Sequence, residues 1–475
     1  MLRRSLTFIA LLTCLVASGQ EIKTPEELYK FLEPERDSNA LYWNEVDSVK
    51  SLGKVARNFT SNLPKNHIGL FTLRYVFFSD LRCNDYNNEK ANKNYSLLKD
   101  FIATIPLDRK NYDFYLQAAL TYNTLFIAFK KFGDQDQARD VILTANAFLS
   151  EALDETNGDS TKYYSIIHKL IGINNNMGIL LYQTTHYLDP EEKRSETGRL
   201  LESYFERVDS LCEFEDSHNS QFIDLQSRVT PYSNMAVIYG SYYRNQLKAQ
   251  QYLDKARDLG TKLCKQDRGI ECIRAGIQFQ GALGWIQFAN KNYREAVEIL
   301  KPNLEAFEYY STQYKELSLI NGAFKIDMLC ALNESYYHLQ KSDSSLYYGE
   351  LLLADSTLAV DYVVLANAAV LMSELYMDKN IKRSRELLSL SRRLVQQSEA
   401  EMVRSKYVAE GESKLLNITQ DKLFELTEDI VVAEQREKLI IKVILLVGIT
   451  MLALFIIYMV KRSRNTSRRV LHESE

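Results

Sequence analysis

From residue 112 to residue 398, apolar side chains recur at spacings of three and four, with alanines at regular offsets. That is the period of one face of an α-helix, and it differs from the alternation of a strand. A single helix does not extend over such a length. The pattern requires a series of helices that bury their apolar stripes against one another. Composition agrees. The chain of 475 residues holds 7 Pro and 18 Gly, well under the usual shares of about 5% and 7%, which tells against turn-rich all-β folds. A hydrophobic content of 46% excludes a mostly disordered chain. The 58 Lys+Arg against 62 Asp+Glu leave a net charge of −4, which excludes a generally basic nucleic-acid-binding surface.

The clearest unit runs from Leu283 to Glu305. Leu283-Gly284 and Phe288 come first, then Tyr293, Ala296, Leu300 and Leu304. The small residues let two helices approach closely while the large ones fill the groove between them. This resembles the tetratricopeptide repeat, a pair of antiparallel helices. Weaker copies align on a small residue of the second helix: Ala138, Ala249, Ala296, Ser345 and Ser384, which fall 111, 47, 49 and 39 residues apart. The widest interval hides one more unit, with IIHKLIGINNNMGILLYQ as first helix and TTHYLDPEEKRSE as an insertion. First helices share a phrase: Asn176-Met177-Gly178, Asn234-Met235-Ala236, Asn333-Glu334-Ser335 and Asn367-Ala368-Ala369. The unit CALNESYYHLQKSDSSLYYGELLL reads as lacking the usual small residues in its second helix. The expected fold is all-α: an α-solenoid of degenerate repeats over 112–398, capped by a helical region over 20–111.

The chain ends carry different signals. Arg3 and Arg4, an apolar run from Leu6 to Val16, and Ala17-Ser18-Gly19 have the form of a secretory signal peptide over 1–19. Leu439 to Val460 is apolar with one charge, Lys442, and long enough to cross a bilayer. Lys461, Arg462, Arg464, Arg468 and Arg469 follow, so the 461–475 tail is expected in the cytoplasm and the N-terminal region outside it. Residues 399–438 read as a charged helical stalk. Its heptad has a positions at Met402, Ala409, Leu416, Leu423 and Ile430, and Leu416 to Ala433 makes a seam through which two copies could pair. A monomeric helix packed back on the solenoid fits as well.

This order of parts resembles the membrane-anchored tetratricopeptide-repeat proteins of Bacteroidetes-type bacteria. The resemblance implies a bacterial inner-membrane location. In that family the cytoplasmic part holds a DNA-binding or histidine-kinase module, and a 15-residue tail is too short for either.

Motifs for phosphate loops, dinucleotide turns, zinc helices and nucleophile elbows are missing from the sequence. Asp216-Ser217-His218 reads as a loop tripeptide without a triad, and His168 and His338 read as packing or surface residues. No catalytic residue, metal ligand, cofactor or nucleic acid is expected, and the chain is not expected to be an enzyme. Cys264 and Cys272 flank a turn, QDRG, across which they could meet; buried reduced thiols are the default for Cys83, Cys212, Cys264, Cys272 and Cys330. The expected function is an extracytoplasmic scaffold that binds a protein or peptide on the concave face built from first helices. The candidate groove-lining residues are Asn123, Asn175, Trp285, Tyr337 and Tyr376. The alternative is the sensory part of a transmembrane signalling or transcription-regulatory system whose output lies elsewhere.

Overall fold

A computed structural model describes residues 22–32, 46–81, 87–131, 134–185, 196–218, 225–265, 269–313, 322–355, 362–377, 379–396 and 439–446. The signal segment 1–19, the stalk 399–438, residues 447–460 of the apolar segment, the basic tail and Cys83 lie outside the described residues. Among the described residues there are no strands.

Four helices come first: α1 (Pro25–Leu32), α2 (Val46–Asn58), α3 (His67–Leu81) and α4 (Asn88–Ala103). Pairs follow: α5 (Tyr112–Lys131) with α6 (Gln135–Asp154), α7 (Ser160–Thr185) with α8 (Glu196–His218), and α9 (Leu225–Val237) with α10 (Gln246–Lys265). Next come α11 (Gly269–Ala289) with α12 (Tyr293–Gln313), and α13 (Gly322–His338) with α14 (Ser342–Asp355). The last pair is α15 (Tyr362–Tyr376) with α16 (381–396). Each pair from α5/α6 to α13/α14 packs on itself, and successive first helices α3, α5, α7, α9, α11, α13 and α15 follow one another in a row. These are tetratricopeptide-like helical repeats.

One local device starts the second helices. Ala138, Ala249, Ala296, Ser345 and Ser384 are all at most 2% exposed. The backbone N–H of each bonds the carbonyl four residues earlier, at Asp134, Asn245, Asn292, Lys341 and Asn380. Asp134, Asn245 and Asn380 also accept the N–H three residues on through their side chains, which satisfies donors that a helix start leaves unpaired. Asn87 and Ala91 of α4 do the same, so the device begins one helix before the region read as repeats. The turns ahead of α10, α12 and α14 each hold one left-handed residue: Arg244, Lys291 and Gln340, with φ of 55°, 64° and 57°. They reverse the chain without glycine.

The close approach within pairs shows in what a side chain would meet. A Cβ at Gly284 would lie 2.4 Å from Leu300 Cδ2, and one at Gly178 would lie 2.6 Å from the Phe205 ring. The reading of α14 as lacking small residues is corrected here. Ser345 is fully buried, and a Cβ at Gly349 would fall 2.3 Å from Met372 Sδ; the small residues are Ser and Gly in place of Ala. Asp216-Ser217-His218 is also corrected. These residues close α8 and form no loop; buried Val208, Leu211, Cys212 and Glu215 hold the helix against its neighbours into its last turn.

Cys264 and Cys272 form a disulfide, with Cα atoms 4.8 Å apart. The reduced default is thereby overturned for this pair: the turn between α10 and α11 brings the last turn of one helix onto the first turn of the next. Cys212 and Cys330 are buried and not disulfide-bonded to each other.

A separate unit spans Lys414–Glu475. Within it residues 439–446 are helical and exposed, from 51% at Ile441 to 66% at Leu446. Among the described residues no helix is long and apolar enough to cross a membrane.

Candidate functional site

The first helices are joined by a polar ladder. Asn176 Nδ2 donates to Asn123 Oδ1 at 3.2 Å, linking α7 to α5. Asn234 Nδ2 donates to Asn175 Oδ1 at 3.0 Å, linking α9 to α7. Asn367 Nδ2 donates to Glu334 Oε2 at 2.9 Å, linking α15 to α13. Thr230 bonds Gln278 at 3.1 Å, linking α9 to α11. The donors Asn176, Asn234 and Asn367 are the first residues of the phrase shared by first helices. Its fourth copy departs: Asn333 turns into its own pair, donating to the Ser345 carbonyl at 2.8 Å while Ser345 Oγ donates to the Asn333 carbonyl at 2.9 Å.

The five candidate groove residues separate on this frame. Asn123 is half-buried and Asn175 buried, and both serve as ladder acceptors. Trp285 on α11 is half-buried against Phe288, ring centroids 5.2 Å apart, over the core of α11–α14. Tyr337 on α13 donates its hydroxyl to Glu374 of α15. Tyr376 donates to Glu350 of α14 at 3.0 Å. Tyr376 also lines an open depression of about 400 Å³ with Asp343, Leu346, Tyr347, Glu350 and Leu351. The structure therefore does not gather the five at one point; it distributes them along the row.

Two residues that sequence reasoning missed lie on the same row. Ile127 of α5 is 44% exposed although it is a large aliphatic side chain. Lys130, one helical turn on, has its pKa pulled down to about 8 by burial, while the charge of Asp327 on α13 pulls it up. A lysine near the end of an amphipathic stripe gives no sign of this in sequence, because its burial depends on neighbours that come from other helices.

A buried charge cluster joins α7, α8 and α9. Arg228, with its side chain 2% exposed, donates to Glu215 at 2.6 Å and also pairs with Asp216. His168 Nδ1 lies 3.6 Å from Glu215. Burial alone would raise the Glu215 pKa; hydrogen bonds and charge from His168 and Arg228 outweigh it and hold the carboxyl below its usual range. Cys212 nearby has its thiol pushed up to about 12, chiefly by burial, so it stays protonated and unreactive at neutral pH. A cation tied to two carboxylates beside a protonated thiol has no poised base or nucleophile. The cluster is a joint between helices. Among the described residues no group of three or more His, Cys, Asp and Glu side chains is placed to hold a metal ion.

No protein-family profile and no curated protein matches the chain. Among solved structures, a signal transduction ATPase with numerous domains (STAND) that carries a tetratricopeptide repeat sensor, from Pyrococcus horikoshii, is similar at 14% identity. The match covers 86% of this chain and 74% of that one, with a TM-score of 0.26. So loose a superposition carries no argument, and the repeat description stands on the helix pairs and their small-residue contacts.

Proposed function

We propose that the chain is a membrane-anchored, extracytoplasmic helical-repeat scaffold that binds a protein or peptide partner along its row of first helices. The observation that carries this reading is the row itself, which presents exposed Ile127 and half-buried Trp285 as apolar contacts and Lys130, one turn beyond Ile127, as a cation. Such a surface suits an extended peptide with apolar side chains and at least one carboxylate. The Cys264–Cys272 disulfide supports an oxidising compartment outside the cytoplasm. The exposed apolar helix at 439–446 supports an anchor, since its own unit leaves Leu446 66% uncovered. No enzymatic role is proposed. A second reading, the sensory part of a signalling system with its output on another chain, is favoured by the proline-free sequence that connects the last repeat helix to the apolar segment.

The test uses the full chain in membranes and a displayed random-peptide library as probe. Selected peptides should lose binding to Trp285→Ala and Lys130→Glu, and keep it with Leu247→Ser on α10, 73% exposed on a second helix. Equal binding by all three variants would sink the groove reading. For orientation, Ser467→Cys in a chain without other cysteines should resist an impermeant thiol reagent until the membrane is opened; labelling of intact cells would reverse the topology.

A further inference from the structure

Helices α10 and α11 run antiparallel and are fastened differently at their two ends. Where α10 begins and α11 stops, Arg244 Nη1 and Gln246 Nε2 each donate to Asn290 Oδ1 at 3.1 Å, and Arg244 also donates to the Ala289 carbonyl. Where α10 stops and α11 begins, the Cys264–Cys272 bond joins them covalently. The apolar packing beneath that bond is small. Leu263 and Ala275 are buried with Val229 of α9, and Leu259 is half-buried against them. A Cβ at Gly260 would meet Ala275 Cβ at 3.5 Å, an ordinary contact with no interdigitation.

The two cysteines are not equivalent. Cys264 lies in the last turn of α10 and is exposed, whereas Cys272 lies in the first turn of α11 and is half-buried. A helix start carries unpaired N–H groups and partial positive charge, and side chains lean toward it, so it stabilises a thiolate at Cys272. A helix end carries partial negative charge and gives Cys264 no such help. The nearest charged residues leave this order intact. Glu271 and Arg274 are one and two residues from Cys272, and Lys265 and Lys262 are one and two from Cys264; residues at those spacings do not face each other on a helix. In thiol–disulfide exchange an accessible sulfur is attacked, and the bond breaks faster toward the better thiolate. Both criteria select Cys264 for attack and Cys272 for departure. We propose that Cys264–Cys272 is a redox latch opened by a dithiol. One thiolate of the dithiol bonds to Cys264 Sγ while the Cys264–Cys272 bond breaks and its electron pair leaves on Cys272. The second thiolate then attacks the dithiol's own sulfur in the mixed disulfide and expels Cys264 as a thiolate. Two electrons pass to the protein, the dithiol becomes a disulfide, and the two protons it gives up balance those the cysteines take up. With the latch open, α10 and α11 part at the cysteine end and stay joined at Asn290, so the solenoid gains a hinge at this joint. This stands independently of the peptide-binding reading.

The experiment uses the full chain in membranes. Limiting glutathione serves as a monothiol probe that stops exchange at the first step, and an alkylating reagent then blocks the freed thiols. Mass spectrometry of the peptides that carry each cysteine should find glutathione on Cys264 in several-fold excess over Cys272, with the alkyl group on Cys272. In Cys264→Ser the remaining Cys272 should be alkylated with a midpoint at lower pH than that of Cys264 in Cys272→Ser. Full reduction with dithiothreitol, followed by alkylation, should raise amide hydrogen exchange several-fold over 259–264 and 270–275 and leave 246–250 and 285–290 unchanged. Glutathione mainly on Cys272 reverses the direction of attack and overturns the proposal. A bond that yields no mixed disulfide until the chain is unfolded in urea is a fixed staple, which also overturns it. Equal rises in exchange at both ends of α10 and α11 overturn the hinge.

Discussion

Helices α7–α10 and α13–α16 build the same paired architecture with different buried chemistry. In the first region the deepest polar joint is ionic: Arg228 between Glu215 and Asp216, with His168 beside them. A row of carboxylates on α8 continues outward, where Asp209 accepts from Tyr252 at 2.9 Å and Lys255 at 2.8 Å. In the second region the deepest joints are neutral and small. Asn333 bonds Ser345, and Ser373 Oγ lies 2.8 Å from Ser384 Oγ. Close approach in the serine pairs leaves no room for an ion, whereas the longer α7/α8 pair encloses one. The first region should therefore respond most to the loss of a charged partner, and the second to side-chain size.

The largest effect is expected where a buried charge loses its partner. Arg228→Leu leaves Glu215, whose side chain is 2% exposed, without its main partner, and removing one member of a buried pair costs about 3–5 kcal/mol. The double variant Arg228→Leu/Glu215→Leu should recover much of that loss in urea denaturation of the full chain. A double variant no more stable than the single one would show that the cluster acts by packing and not by charge. The next effect belongs to the serine region. Ser345→Leu adds overpacking of about 1–3 kcal/mol to a lost hydrogen bond of about 1 kcal/mol. Ala296→Leu, with no bond to lose, should cost only the first part. Equal shifts in denaturation midpoint would mean that the Asn333–Ser345 bonds contribute nothing.

The disulfide that ties α10, the last helix of the first region, to α11 gives a third, intermediate effect. It closes a loop of 8 residues, for which chain-entropy arithmetic gives about 2.5 kcal/mol. Cys264→Ser/Cys272→Ser should lower the denaturation midpoint accordingly, and dithiothreitol should do the same to the parent chain and nothing to the variant.

The helical class and the small-residue positions of five second helices could be read in the sequence, since both follow from periodicity and residue volume. The serine substitutions at 345 and 384 were legible as positions, but the role of Gly349 was not, because its neighbour Met372 comes from the next pair. The ladder was half legible. The repeated Asn at 176, 234 and 367 was visible as a phrase, yet its acceptors lie more than thirty residues away. Asn123 and Asn175 were marked for a groove because they are polar on a first helix. The structure places them between helices, where an amide satisfies a neighbour's amide. Ile127, Lys130 and the joint at Arg228 were missed outright: each depends on which helices pack beside it, and no local pattern carries that.

The smallest effect separates the two regions by sign. Glu215 has a folded-state pKa below its unfolded value, so its contribution is present above the ordinary carboxylate range and is lost as pH falls through the lowered value. Glu334 on α13 is shifted the other way: burial raises it, and His338, 3.7 Å away, together with Asn367 opposes the rise only in part. A raised carboxylate favours the folded state at low pH, and that advantage is lost as pH rises through the raised value. Relative to the parent, Glu215→Gln should thus become less stable as pH rises from 4 to 7, while Glu334→Gln should become more stable. Asn367 is exposed, so Asn367→Ala should change stability at neutral pH by no more than about 0.5 kcal/mol. It removes a donor that favours the Glu334 carboxylate, however, and should move that group's titration further up. Thermal midpoints of the parent and the three variants across this pH range measure all of these effects. Parallel pH trends for Glu215→Gln and Glu334→Gln would show that the two regions do not differ in their buried electrostatics.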